Sequence, residues 1–406
     1  MPALPEGDPA PVDGRLPARA LQRFGAASFS VYAHVPFCVT RCGYCDFNTY
    51  TAAELGADVR RDTWATAAVA ELRLARHVLG TADVPVSTVF FGGGTPTLLA
   101  PADLGQLIGS VRSEFGLTPD AEVTVEANPE TVTEELAQGL LDIGVTRVSM
   151  GMQSAVPHVL ATLDRTHDPM NVPRAVSILR NAGINEVSVD LIYGTPGESV
   201  ADWRTSVEAA LDMAPTHISA YSLTIEPGTK LHARMARGEV SSTDEDDLAT
   251  KYELADDLFS AAGLEWYEVS NWASSTQHRS RHNLAYWTGG DWWGVGPGAH
   301  SHVGGVRWWN AKHPAAWQGA VSAGRSPAVG REELSQESEA LERVLLGIRV
   351  SDGLPLSDVG AAGQPHIADL QAQGLVDLRH DGTDARVVLT RKGRLLADTV
   401  VRALVP

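Results

Sequence analysis

Cys38, Cys42 and Cys45 are the only cysteines of the 406-residue chain, and all three lie in the run Cys38-Val-Thr-Arg-Cys42-Gly-Tyr-Cys45. Thiolate is the usual protein ligand of iron–sulfur clusters, and three thiolates fill three corners of a four-iron cluster. With no fourth cysteine in the sequence, one iron keeps a position that a small chelating molecule can take. Two other chemistries compete. An odd cysteine count, with every thiol crowded into one loop, argues against a disulfide framework. A zinc centre would recruit His34 or His282 as the fourth ligand, but structural zinc sites usually come as two C-x2-C-like pairs. A cluster is therefore expected, with zinc as the alternative.

A short loop can present three ligands only if rigid elements hold both its ends. From Ser30 to about Leu223 the sequence alternates short, β-branched apolar runs with longer amphipathic stretches. The runs predict strands over Val31–Val35, Ser87–Phe91, Glu122–Glu126, Arg147–Met150, Glu186–Ile192 and His217–Ser222. The stretches between them predict helices over Thr63–Val78, Ala102–Phe115, Glu134–Asp142, Val172–Ala182 and Ala201–Met213. Such alternation specifies βαβ units and a parallel sheet. Six units suit an α/β fold of the partial (β/α)6 barrel type, an open relative of the eight-stranded form. In these folds functional groups gather at the carboxyl ends of the strands. The sequence obeys that rule. The cysteine loop leaves the first strand, Gly92-Gly93-Gly94-Thr95-Pro96-Thr97 the second, and Glu126-Ala127-Asn128-Pro129 the third. Gly151-Met152-Gln153-Ser154 leaves the fourth, and Asp190 to Pro196 closes the fifth. Each group alone is ordinary turn chemistry; its recurrence at one topological place is the signal.

Composition bounds the remainder. A net charge of −18 leaves no basic face for nucleic acid. No apolar run reaches the roughly 18 residues that span a bilayer. Residues 1–27, rich in Ala, Pro and Arg, are expected as a flexible N-terminal extension and not a signal peptide. With reduced cysteines, this reading places the protein in the cytoplasm. The barrel is expected over residues 28–240. Residues 241–333, opened by an acidic helix over Asp244–Gly263, form an aromatic and histidine-rich extension. Eight of the ten tryptophans lie between Trp266 and Trp317, beside His278, His282, His300, His302 and His313. The plain reading of this segment is a packed subdomain with a tryptophan core. Residues 334–406 suit a small winged-helix-like domain, with helices over Glu337–Arg349, Ile367–Leu375 and Gly393–Ala403 and a hairpin through Leu378 and Val387–Thr390. Its basic residues Arg391, Lys392, Arg394 and Arg402 are too few to argue DNA binding; a solvated face or an interdomain contact is expected of them.

Together these motifs resemble the HemN-like branch of the radical S-adenosylmethionine (SAM) superfamily, whose cysteines share the C-x3-C-x2-C spacing. Tyr32-Ala-His34-Val-Pro36-Phe37 before the cysteines and Cys45-Asp46-Phe47 carry the likeness, with Phe91-Gly-Gly-Gly-Thr95-Pro-Thr97 and Glu126-Ala-Asn-Pro129. Arg147-Val-Ser149-Met-Gly151-Met-Gln153-Ser154, Asp164-Arg165-Thr-His167, Asp190-Leu-Ile-Tyr193-Gly and His282-Asn283-Leu-Ala-Tyr286-Trp287 extend it. The resemblance implies a [4Fe–4S] cluster on Cys38, Cys42 and Cys45, completed by the amino and carboxylate groups of SAM. It implies SAM contacts from Gly93, Gly94, Thr95, Glu126, Gln153, Arg165 and Asp190, with Tyr32 and Tyr44 against the cluster and SAM. Glycine at 93 and 94 lets the backbone approach a ligand with no Cβ in between. For Arg165 and Asp190 the plain alternative is a surface or inter-strand ion pair.

One departure divides the branch. Sequences resembling its coproporphyrinogen III dehydrogenase carry a further cysteine two positions after the third; here that position is Phe47. The Cys-Asp-Phe run and the H-N-x-x-Y-W motif resemble instead the heme-chaperone members. That resemblance implies a protein that binds heme and passes it to an acceptor apoprotein, membrane-bound respiratory proteins included. It implies His282 as axial ligand, Tyr286 and Trp287 against the porphyrin, and Asn283 or a carbonyl fixing the imidazole's tautomer. It allows a homodimer and peripheral membrane attachment. The alternative function is oxygen-independent coproporphyrinogen III dehydrogenase, which decarboxylates two propionates; a radical methyltransferase is a third. The plain alternative for His282 is a hydrogen bond to a loop in a mobile, tryptophan-rich segment.

Overall fold

The computed structural model describes residues 6–56, 60–381 and 384–405. Its spine is one 12-stranded sheet. At the centre, six neighbouring strands run parallel: β1 (Phe29–Val35), β2 (Val86–Gly93), β3 (Leu117–Ala127), β4 (Arg147–Gln153), β5 (Glu186–Tyr193) and β6 (His217–Ser222). All six expected strands are present; the largest shift is the start of β3, at Leu117 and not Glu122. β1 buries every residue except Tyr32, which is only partly covered. A parallel strand covered on both faces is mostly apolar, and β1 departs from this only at Ser30, Tyr32 and His34. The five crossover helices span Trp64–Leu79, Pro101–Glu114, Glu134–Asp142, Asn171–Ala182 and Val200–Asp212. The fourth buries Val172, Ala175, Val176 and Leu179, one helical stripe, and stops at Gly183 in the left-handed region. The fifth starts on a capping box between Ser199 and Asp202.

Residues 241–333 are not a subdomain of their own; they complete the barrel sheet at both edges. β7 (Glu265–Glu268) and β8 (Asn271–Ala273) add antiparallel strands beyond β6. At the other edge β9 (Asp291–Val295) pairs parallel with β1, followed by antiparallel β10 (His300–Val303), β11 (Val306–Asn310) and β12 (Ala328–Glu333). An open barrel would otherwise expose the unpaired backbone groups of β1 and β6. Trp272, Trp293, Trp308 and Trp317 do fill a core, but it is continuous with that of the barrel.

The N-terminal segment also differs from expectation. Residues 1–5 lie outside the described residues, but from Glu6 onward the chain is packed. Asp8 pairs antiparallel with Arg331 on β12, and Ala20 and Phe24 are buried. Phe24 meets Phe29 edge-on at 5.0 Å, and Arg23 Nη1 lies 2.7 Å from Glu339 Oε1. The exposed edge of β12 supplies the partner that composition alone did not reveal.

At the C-terminus a helix over Gln336–Gly347 packs with the short helix Ile367–Ala372 and three antiparallel strands, Leu354–Pro355, Val376–Asp381 and Asp384–Leu389. This module has its own apolar cluster, including Val344, Ile348, Leu370, Val387 and Val400. The expected last helix is broken at Leu396 (φ −117°, ψ 28°), which lets Val400, Val401 and Leu404 turn into that cluster. Two of its basic residues serve an interdomain contact: Arg394 Nη1 and Nη2 each donate to Asp256 at 2.9 Å, and Arg391 donates to Asp257 at 2.6 Å, whereas Lys392 and Arg402 bond to Gln373 and Thr399 within the module. No helix among the described residues is long and apolar enough to cross a membrane.

Candidate cofactor and ligand site

The carboxyl ends of β1–β6 open on a cavity of about 520 Å³. Cys38, Cys42 and Cys45 border it, as do Tyr32, Tyr44, Gly93, Gly94, Thr95, Glu126, Gln153, Arg165, Asp190 and His282. The cysteine loop is tied down on both sides. Gly43 N–H donates to Leu163 O at 3.0 Å, and Gly43 O accepts from Leu231 N–H at 2.8 Å. Asn48 Nδ2 donates to the carbonyls of Pro297 (3.0 Å) and Lys312 (2.8 Å). The Asn48 carbonyl accepts from His34 Nε2 at 2.9 Å, so His34 Nδ1 accepts the Tyr32 hydroxyl at 3.0 Å. With both nitrogens engaged, and burial lowering its pKa to about 4, His34 is a strut of the loop and not a metal ligand.

Burial pushes the Cys38 thiol up and the Cys45 thiol to about 11. Such thiols ionise only against a strongly positive partner, which the iron of a cluster provides. Arg165 adds a fixed positive charge, its Nη1 lying 3.6 Å from Cys42 Sγ. Among the described residues no three His, Cys, Asp or Glu groups converge as a single-ion site. A donor set of three soft thiols in a half-buried loop fits a polynuclear cluster, in which each thiolate takes a different iron.

The opposite wall is acidic and hydroxyl-rich. Glu126 accepts Gly93 N–H at 3.1 Å; burial, and then the neighbouring charge of Asp190, raise its pKa to about 7. Asp190, raised chiefly by burial, accepts from Ser149 Oγ at 2.9 and 3.0 Å. Arg165 does not pair with it: the guanidinium donates to Asn128 Oδ1 (3.2 Å from each Nη) and Gly151 O (2.8 Å). Gln153 follows a bulge in the β4–β5 ladder with φ 64°, a strained position for a residue with a side chain. These acceptors suit a ligand carrying an ammonium, a sulfonium and ribose hydroxyls, as SAM does.

The expected reason for the two glycines needs correcting. Gly94 N–H donates to Val35 O and Thr95 N–H to Phe37 O, both at 2.8 Å, so this loop is stitched to the exit of β1. A Cβ on Gly94 would lie 2.4 Å from Phe37 O, and one on Gly93 (φ +112°) 2.5 Å from His34 Cε1. Both missing side chains face the protein's own cluster strand. Bulk there would disturb the loop before it met any ligand.

His282 sits on the helix Arg281–Trp287, whose first N–H groups donate to Glu122 at 3.0 and 3.1 Å. The imidazole is buried, with Nδ1 2.7 Å from Thr88 Oγ1 and Nε2 2.9 Å from the Tyr286 hydroxyl. Phe90 stacks on it at 4.9 Å and 23°. Both ring nitrogens are thus hydrogen-bonded, and among the described residues neither His34 nor His282 groups with the thiols as a single-ion site.

Residues 32–210 match the Radical SAM superfamily. Over 377 residues the chain is 50% identical to the heme chaperone HemW of Mycobacterium tuberculosis, covering 93% of this chain and 94% of that one. The chain belongs to the HemW family. The heme chaperone HemW of Escherichia coli is 36% identical over 274 residues, 68% of this chain and 70% of its own. Among solved structures, the coproporphyrinogen III oxidase HemN of Escherichia coli, a radical SAM enzyme, superposes with a TM-score of 0.79 over 95% of this chain and 92% of that one. At 22% identity that likeness shows the fold alone.

In this HemW-family chain the H-N-x-x-Y-W motif is part of the barrel wall and not a mobile strip. Asn283 and Tyr286 border the cavity, but Trp287 does not; it lies beside the buried Glu268, as does Asn283. The tautomer partner of His282 is Thr88, and not Asn283 or a carbonyl. His278 is turned to Glu186, Nδ1 to Oε1 at 2.7 Å. Asn128 was readable from its place in the Glu126-Ala-Asn-Pro run. Thr88 and Phe90 carry no such signal, because inward residues of β2 look like core.

Proposed function

We propose that the chain is a heme chaperone that holds a [4Fe–4S] cluster on Cys38, Cys42 and Cys45, takes SAM at the open iron, and binds heme for transfer to an acceptor protein. The observation that carries this reading is the 50% identity to HemW along 93% of the chain. Phe47 supports it: the side chain stands exposed at the cavity border, where the dehydrogenase-like sequences place a fourth cysteine.

When bound, the cluster and SAM supply one-electron chemistry; the protein binds, orients and shelters them. The loop's anchors at Gly43 and Asn48 hold the thiols in place. Arg165 ties Cys42 to Asn128 and Gly151, so the cluster side and the SAM side of the cavity share one rigid contact. Glu126 and Asp190 offer acceptors to SAM's polar groups, and His282 offers heme its imidazole. A net charge of −18 favours acceptors with a basic docking face. We place the protein in the cytoplasm, where peripheral membrane contact would bring it to membrane-bound acceptors.

The test is a heme titration of the anaerobically reconstituted protein, followed by mixing with an apo-heme protein as trap. Saturable binding, and transfer faster than from free heme, is expected. Absence of any heme complex would overturn the reading.

A further inference from the structure

The two nitrogens of His282 have different partners, and the partners' own bonds fix where the protons sit. Thr88 Oγ1 carries one proton and donates it to Ser30 Oγ at 2.9 Å. Toward His282 Nδ1, at 2.7 Å, it can then only accept, so Nδ1 bears the ring proton. Nε2 keeps its lone pair and accepts the Tyr286 O–H at 2.9 Å. The two residues are four apart on one helix and share a face, their rings 5.0 Å apart at 81°. Phe90, stacked on the imidazole, removes the remaining rotational freedom. His282 and Tyr286 border the cavity, whereas Thr88 is buried behind them. The unprotonated nitrogen is thus the one covered by the phenol of Tyr286, which borders the cavity.

We propose that Thr88 is a positioning residue for heme ligation, holding His282 as the Nδ1–H tautomer, and that Tyr286 is a competing cap on Nε2 that heme iron displaces. The proposal rests on the reading of His282 as the heme ligand. Ligation then breaks one O–H···N hydrogen bond and forms one iron–nitrogen bond. No proton leaves the imidazole, and nothing is oxidised or reduced. Tyr286 sets the affinity from the other side: it stabilises the heme-free form, so it favours release as well as opposing capture.

The experiment uses the full chain, reconstituted anaerobically and titrated with hemin. The readouts are the dissociation constant, the Soret position and the ferric paramagnetic resonance of imidazole-ligated heme. His282→Ala tests the ligand reading alone; survival of the imidazole signature would remove that reading, and the proposal with it. Where His282→Ala loses the signature, two positions decide the proposal. Thr88→Val, similar in shape but without an acceptor, should weaken heme binding about 10-fold or more, as loss of a ligand's hydrogen-bond partner does. Thr88→Ser, which keeps the hydroxyl, should restore it. Tyr286→Phe should tighten binding roughly 5-fold, the weight of one hydrogen bond's net stabilisation. Unchanged affinity in Thr88→Val, or unchanged or weaker binding in Tyr286→Phe, overturns the proposal. If Thr88→Val does not fold, Tyr286→Phe decides alone, since a phenol that merely packs against porphyrin gives no gain on losing its hydroxyl.

Discussion

Replacing Gly94 with alanine adds one methyl group where no side-chain rotation can make room. Its Cβ would lie 2.4, 2.9 and 3.0 Å from the carbonyl oxygen, carbonyl carbon and nitrogen of Phe37. These are backbone atoms of the strand exit that leads into Cys38. Two hydrogen bonds of 2.8 Å, Gly94 N–H to Val35 O and Thr95 N–H to Phe37 O, clamp the two segments together. Ordinary contact between non-bonded atoms begins near 3.5 Å, so one segment must retreat by roughly 1 Å, which pulls both bonds out of range. Overpacking costs about 1–3 kcal/mol, and each lost bond about 1 kcal/mol. A destabilisation of about 3–5 kcal/mol is therefore expected, together with a displaced first cluster ligand. Urea unfolding of the cluster-free protein reads the first effect, and iron and sulfide analysis after reconstitution the second. Gly109→Ala is the control: its Cβ meets nothing within 4 Å, inside the helix Pro101–Glu114, and it should be neutral or slightly stabilising. A Gly94→Ala protein as stable as wild type and carrying full iron would refute the reasoning.

Three further outcomes follow from the same geometry. Cys42→Ala leaves two thiolates, so the visible absorbance of the reconstituted cluster should vanish; four irons bound by that variant would contradict the ligand set. Arg165→Lys replaces a fork spanning Cys42, Asn128 and Gly151 with a single ammonium. SAM affinity by calorimetry should fall about 10-fold, the weight of one bond to a charged group, and wild-type affinity would count against the placement. Glu71 is buried, and burial raises its pKa to about 7, although Gly296 N–H, Asn310 and Trp317 donate to it. A folded pKa above the unfolded 4.5 means stability that is complete in acid and is lost as pH rises toward 7. Glu71→Gln should flatten the fall in unfolding free energy between pH 5 and 8; an unchanged slope would show that Glu71 does not titrate there.

The barrel and its cofactor wall are legible in the sequence for a physical reason. Strands such as Phe29–Val35 are covered on both faces, so they are rich in apolar residues, with Ser30 and His34 as buried polar exceptions. Their exits carry Gly, Asn, Glu and Asp where a core would not, which is why Glu126, Asp190 and the glycine loop stand out. Contacts between distant residues leave no such trace. Thr88 meets His282 across 194 positions, and on its own strand it is one more buried residue, between Ser87 and Val89. Asp291–Val295 reads as a short core strand, and only the open edge of β1 shows where it belongs. Ala20 and Phe24 are sparse apolar points in a stretch whose average composition suggests disorder; the β12 edge and Glu339 give them their order. For Gly93 and Gly94 the need for glycine is visible, but the side from which the crowding comes is not.

The account's central claim meets its most direct test when one anaerobically reconstituted sample, carrying cluster and SAM, is given hemin and, in a parallel aliquot, coproporphyrinogen III. A stoichiometric Soret complex that is lost in His282→Ala, with no carbon dioxide released from the porphyrinogen, is the predicted result. Decarboxylation of coproporphyrinogen III in a sample that forms no heme complex would contradict it.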